Sequence, residues 1–190
     1  MAETQEPTFS VEEKDGDFEI RRYDPHLAAE VITTGERSTA INSGFRLLAD
    51  FIFGNNRKPN QQMWTSDASQ NAGQKIAMTV PVTQQPISEQ PSGETWKVRF
   101  MMPKNFSLST LPIPNNDRVK IKSEPTKRYA AVRFSGWSSE SNLREHRQLL
   151  QNWISKKNLK SIGLPIYAFY NPPWSLPFLR RNECLIEIEQ

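Results

Sequence analysis

Apolar residues recur along this chain with two different periods, and the change from one to the other happens twice in the same order. In "FEIRRYDPHLAAEVITTG" (18–35) and again in "VKIKSEPTKRYAAVRFSG" (119–136), apolar and polar side chains alternate, the period of a half-buried strand. Pro25 or Pro125 bends or interrupts each run. The two stretches superpose at an offset of about 101 residues, with Phe18 over Val119, Ile20 over Ile121, Ala29 over Ala130, Val31 over Val132 and Gly35 over Gly136.

After each glycine the period lengthens to that of a helix. Ile41, Phe45, Leu48 and Ile52 share a face of segment 38–54, which Gly54 would stop. Leu143, Leu150, Trp153 and Ile154 supply the apolar side of 138–159, with Ser138 or Ser139 as N-cap. Two more strands follow each helix, at 75–83 and 96–103 in the first half and at 164–173 and 183–189 in the second. The chain is therefore expected to be α+β, with repeat one at 18–103, a linker at 104–118 and repeat two at 119–190. Strand edges left by one half can be paired by the other, so one joint antiparallel sheet or barrel is expected over 18–190. The acidic residues 1–17 are expected to be a loose tail.

Composition narrows the function more than the fold. An apolar content of 36% with 24% charged residues over 190 positions is that of a globular protein. The net charge is +3 and the basic residues are spread along the chain, which argues against a nucleic-acid partner. No apolar run approaches the length of a membrane span. The N-terminus has no apolar leader and Cys184 is the single cysteine, so a cytoplasmic, reducing setting is expected.

Catalytic signatures are scarce. No Gly-rich phosphate loop, Gly-x-Ser-x-Gly elbow or Cys/His cluster occurs. His146 lies among Arg144, Glu145 and Arg147 and reads as a solvated surface residue; His26, just past Pro25, reads as a turn histidine and is the one weak candidate for a metal ligand. Cys184 alternates inward with Ile186 and Ile188, as a buried thiol would. Met78 reads as core. "YNPPWSLPFLRRNE" (170–183) is too apolar for an ordinary loop. Either its apolar residues close the end of the barrel while its arginines pair with carboxylates such as Glu183, or Trp174, Leu176 and Phe178 wall a ligand site and Arg180 or Arg181 answers an anion.

Three stretches, "EIRRY" (19–23), "KIAMTVPV" (75–82) and "YNPPWSLPFLRRNE", together resemble the SOUL haem-binding family, in order and from about residue 18 to the end. The resemblance implies a distorted antiparallel β-barrel built from two repeats and flanked by two helices. It also implies non-covalent binding of haem or a related porphyrin, usually without catalysis, for buffering, transport or sensing. The small-molecule partner would be a tetrapyrrole. Some members carry a histidine before the tyrosine of the first motif; here that place is Arg22. The family's groove beside the first helix maps onto Asn42, Phe45, Ala49 and Asp50, with Arg46, Arg57, Lys58 or Arg180 as replacement cations for the propionates. The fold is shared with effector-binding domains, so a module for another hydrophobic or cationic ligand is the alternative. A hydrolase using Tyr23 or Tyr170 with Glu183 is a more distant one.

Overall fold

The computed structural model describes residues 4–59, 73–88, 95–172 and 174–190. Each alternating stretch becomes a bent pair of strands, each lengthened period a helix. In chain order the elements are β1 (Phe9–Asp15), β2 (Phe18–Tyr23), β3 (His26–Thr34), α1 (Arg37–Ile52), β4 (Asn56–Arg57), β5 (Val82–Pro86) and β6 (Thr95–Met101). Then come β7 (Ile113–Pro114), β8 (Lys120–Glu124), β9 (Lys127–Phe134), α2 (Glu140–Lys156), β10 (Ile166–Phe169) and β11 (Asn182–Glu187), the last preceded by one 3-10 turn at Pro177–Leu179.

Nine strands form one antiparallel sheet in the order β1-β2-β9-β11-β10-β5-β6-β3-β8, while β4 and β7 pair separately. The order interleaves the halves: β2 lies beside β9, and β8 beside β3. Without β1, exchanging β2 with β8, β3 with β9, β5 with β10 and β6 with β11 reverses the order and leaves it otherwise unchanged. Of the expected joint sheet or distorted barrel, the chain forms a curled half-barrel, with β1 and β8 ending the sheet and not paired with each other.

Both helices pack on one side of the sheet. α1 covers β3 and β6 through Leu48, Phe51 and Ile52 against Val31, Val98 and Phe100; α2 covers β9 and β11 through Leu143, Leu150, Trp153 and Ile154. α2 starts where the sequence placed it, with Ser139 Oγ accepting from the Asn142 amide, 3.3 Å. α1 is rotated slightly from expectation. It buries Ala40 and Gly44 instead of Ile41 and Phe45, because a Cβ at Gly44 would lie 2.7 Å from a Val98 methyl, so the backbone itself fills that contact. Gly35 and Gly136 enter the helices at φ 114° and 98°, the left-handed region that favours glycine.

Three further expectations change. Residues 9–15 are not tail but edge strand β1, paired to β2 across the Asp15-Gly16-Asp17 turn and pinned by Phe9 on Tyr23, centroids 4.9 Å apart. The strand expected from residue 75 begins only at Val82. Before it the amides of Ile76 and Val80 bond to Ile52 and Gln5 carbonyls rather than to a ladder, leaving Met78 exposed while Ile76, Thr79 and Pro81 are buried. His146 is half-buried, stacked on Phe134 at 4.0 Å with Nδ1 bonded to the Asn142 carbonyl.

Candidate functional site

The chemistry gathers in two places, an apolar patch at one end of the sheet and the concave face that the helices leave uncovered. The patch comes from the loop between β10 and β11. Prolines and the 3-10 turn hold its apolar residues outward, with Trp174 82%, Phe178 71%, Leu179 66% and Leu176 56% exposed. Trp137, 62% exposed, joins them, since the neighbouring Gly136 amide donates to the Pro177 carbonyl at 2.9 Å. Arg180 lies over the Trp137 ring, 4.5 Å from its centroid, and its Nε donates to the Ser175 carbonyl, 2.9 Å. These residues do not close a barrel end. Arg181 pairs with carboxylates as that reading required, donating to Glu183 at 3.0 Å and to Glu6.

The helix residues singled out from sequence lie on the outer side of α1. Asn42 and Arg46 are exposed, Ala49 is half-buried, and Phe45 is partly exposed, edge-on to Phe100. The α1 N-terminus is tied toward the patch by Arg37, whose Nη1 donates to the Ser138 carbonyl at 3.0 Å. His26 belongs elsewhere. It alternates with the β3 residues packed on α1 and so faces the concave side, with Nδ1 2.9 Å from the Asp24 carbonyl. The weak metal-ligand candidate thus lies on the concave face and not at the patch. Met63, a methionine that could also serve as a soft ligand, lies outside the described residues.

The concave face carries a buried ion network. The Glu183 carboxylate, with no solvent exposure, accepts from Arg21 at 2.7 and 3.1 Å, from Arg181 at 3.0 Å and from the Tyr170 hydroxyl at 2.8 Å. Arg21 also donates to Glu19 at 2.7 Å and to the Tyr23 hydroxyl at 3.3 Å. Burial works against the Arg21 charge, but the Glu183 hydrogen bonds and charge outweigh it and raise its pKa. Burial pushes the Tyr23 hydroxyl up to about 12. Cys184, on the opposite face of β11, is also pushed up to about 12 by burial, which leaves no thiolate at neutral pH.

Across the face, Glu30 accepts from Arg99 at 2.7 Å, and Glu124 lies between Arg99 and Lys127 at 3.5 and 3.4 Å. Burial alone would raise the Glu19 and Glu124 carboxyls. Arg21 and Lys14 on the one, and Arg99 and Lys127 on the other, outweigh it and hold both below the ordinary value. A depressed folded-state pKa contributes stability above the unfolded value and loses it as pH falls through the folded one. The thermal midpoint is thus expected to be level from pH 7 to about 5 and to fall below about 4.3, the ordinary glutamate value. Glu19→Gln with Glu124→Gln should flatten that fall, and an equally steep fall in the double variant would remove these two groups from the account.

A family model, that of the SOUL heme-binding proteins, matches residues 4–187. The chain belongs to this family. No curated protein matches this SOUL sequence. Solved structures share its fold at low identity. The C-terminal domain of EcmrR aligns over 91% of this chain and 97% of its own, with 11% identity and a TM-score of 0.64. A hydrolase encoded by lin2189 from Listeria innocua gives 91%, 92%, 9% and 0.58 in the same terms. SAV2435 bound to tetraphenylphosphonium gives 90%, 93%, 8% and 0.53. Trp137, Tyr129, Arg99 and Glu124 were not singled out from sequence. Trp137 is 37 positions from Trp174, and the other three meet only across the curved sheet.

Proposed function

We propose that this SOUL protein binds haem or a closely related tetrapyrrole non-covalently at the patch of Trp137, Trp174, Leu176, Phe178 and Leu179, as a buffer, carrier or sensor. The observation that carries the reading is the exposure of five large apolar side chains around one arginine. A monomeric surface rarely leaves so much apolar area uncovered without a ligand or partner. Flat aromatic faces suit a porphyrin ring, and Arg180 and Arg46 suit its propionates. Asn42, Phe45 and Ala49 extend the wall along α1.

The fit is to the ring rather than to the iron. Among the described residues neither histidine reaches the patch: His26 faces the concave side and His146 stacks on Phe134. Iron-free protoporphyrin IX should therefore bind within a fewfold of hemin. The test is titration of both against purified protein, with albumin as competitor. One saturable equivalent of each supports the reading. A broad, non-saturating hemin band would overturn it, and hemin far tighter than protoporphyrin would overturn the ring-only fit.

We read the chain as non-enzymatic, since Glu183, Tyr23 and Tyr170 are tied into one buried hydrogen-bond network. We read it also as cytoplasmic and without a nucleic-acid partner. No described helix is long and apolar enough to cross a membrane. The reversible strand order supports an internal duplication.

A further inference from the structure

The concave face holds an open cleft whose empty volume, counted together with the open solvent at its mouth, is ≈ 630 Å³. Its floor is apolar, with Met101, Ile166 and Leu185 among its residues, and Ala28 and Ala168 leave room between them. None of the patch residues lines it. The N-terminal segment builds one wall. Pro7 faces the cleft, while the Gln5 carbonyl accepts from Val80 at 3.0 Å, the Thr8 carbonyl from Asp24 at 3.0 Å, and Glu6 is gripped by Arg181 through both oxygens at 3.0 Å.

Two observations define what would enter. First, the carboxylates on this face that bear on the cleft are already matched: Glu124 by Arg99 and Lys127, Glu30 by Arg99, and Glu183 by Arg21 and Arg181. A charged ligand would therefore displace an existing partner rather than find a waiting one. Second, Tyr129 lines the cleft, is only 9% exposed, and its hydroxyl has no hydrogen-bond partner among the described residues. The other two tyrosines there are engaged, Tyr170 with Glu183 and Tyr23 with Arg21. The ring is largely buried, while the hydroxyl is open to the cleft and can donate to a ligand without breaking a bond within the protein.

We propose that the cleft is a second binding site, for a small neutral compound with a one- or two-ring aromatic body and a carbonyl or ether oxygen that accepts from the Tyr129 hydroxyl. The aromatic body lies on the apolar floor among the tyrosine rings. This site does not depend on the tetrapyrrole reading.

The probe is prodan, a neutral naphthalene ketone whose emission shifts to the blue on leaving water. Saturable blue-shifted binding is expected, weakened about tenfold by Tyr129→Phe, the scale of one neutral hydrogen bond. Thr83→Phe, which fills the cleft from its β5 wall, should abolish it. 2-Dimethylaminonaphthalene, which lacks the ketone, should bind parent and Tyr129→Phe alike. The loop variant Trp174→Ser/Phe178→Ser should keep prodan binding, which separates failure here from failure at the patch. The proposal is overturned by any of three results: no saturable shift, parent-like prodan binding in both cleft variants, or tetraphenylphosphonium binding more tightly than prodan.

Discussion

Arg21→Met is expected to lower the unfolding free energy by about 3–5 kcal/mol, the largest loss from any single charged residue here. The reason lies on the other side of the pair. Glu183 has no solvent exposure, and Arg21 supplies two of its four hydrogen bonds, at 2.7 and 3.1 Å. Methionine fills much of the same volume but leaves a carboxylate facing Arg181 and Tyr170 alone, in surroundings where it must lose its charge or draw in water. A second substitution separates this cost from lost packing. Arg21→Met combined with Glu183→Leu removes both charges and should recover most of the stability, because a buried pair is costly to break yet contributes little net stability over apolar residues of similar volume. Arg22→Met, on the same strand but with a partly exposed side chain paired to Glu12 at 2.7 Å, should cost about 1 kcal/mol or less, as exposed pairs do. Urea denaturation of the four proteins at pH 7 checks the set. An Arg21→Met midpoint equal to that of Arg22→Met would show that the network does not hold the concave face together.

What the sequence made legible follows from how local each signal was. α2 was read correctly because its cap, Ser139, and its buried residues lie within one segment whose other face is charged. α1 was read one position off because Gly44, where the helix touches Val98, carries no apolar side chain to register in a periodicity. β1 was missed although an Asp-Gly turn marks its hairpin, since its outer residues are mostly charged and the strand depends on Phe9 meeting Tyr23 and Arg21. The same limit governs the sites. The loop from 170 to 181 announced itself through composition. Its exposure did not, because an apolar residue that closes a core and one that waits on the surface look alike in a string of letters. Tyr129 and Glu124 carried no signal at all. Their meaning depends on strand β9 lying between β2 and β11 while β8 pairs with β3, an arrangement set by pairings between residues 48 to 114 positions apart.

Trp174→Ser/Phe178→Ser should weaken hemin and protoporphyrin IX binding at least tenfold while leaving the thermal midpoint unchanged. The two side chains are 82% and 71% exposed, so removing them opens no cavity and the fold has little to lose. A flat ligand would cover roughly 70 Å² of each ring, and about 140 Å² at about 25 cal/mol per Å² is near 3.5 kcal/mol of gross contact, more than two decades in affinity. Residual contacts with Trp137 and Leu176 and resettling of the ligand reduce the observed change, which is why tenfold is the lower bound. Arg180→Ala tests the other half of the site differently. Its Nε holds the Ser175 carbonyl, so its loss should loosen the loop as well as remove a charge, and added salt should then weaken hemin binding less than it does in the parent. If the double serine variant binds both porphyrins as the parent does, the ligand is not on this loop. Asn42, Phe45 and Arg46 on α1 would then have to carry it, and Phe45→Ser would be the variant that loses binding.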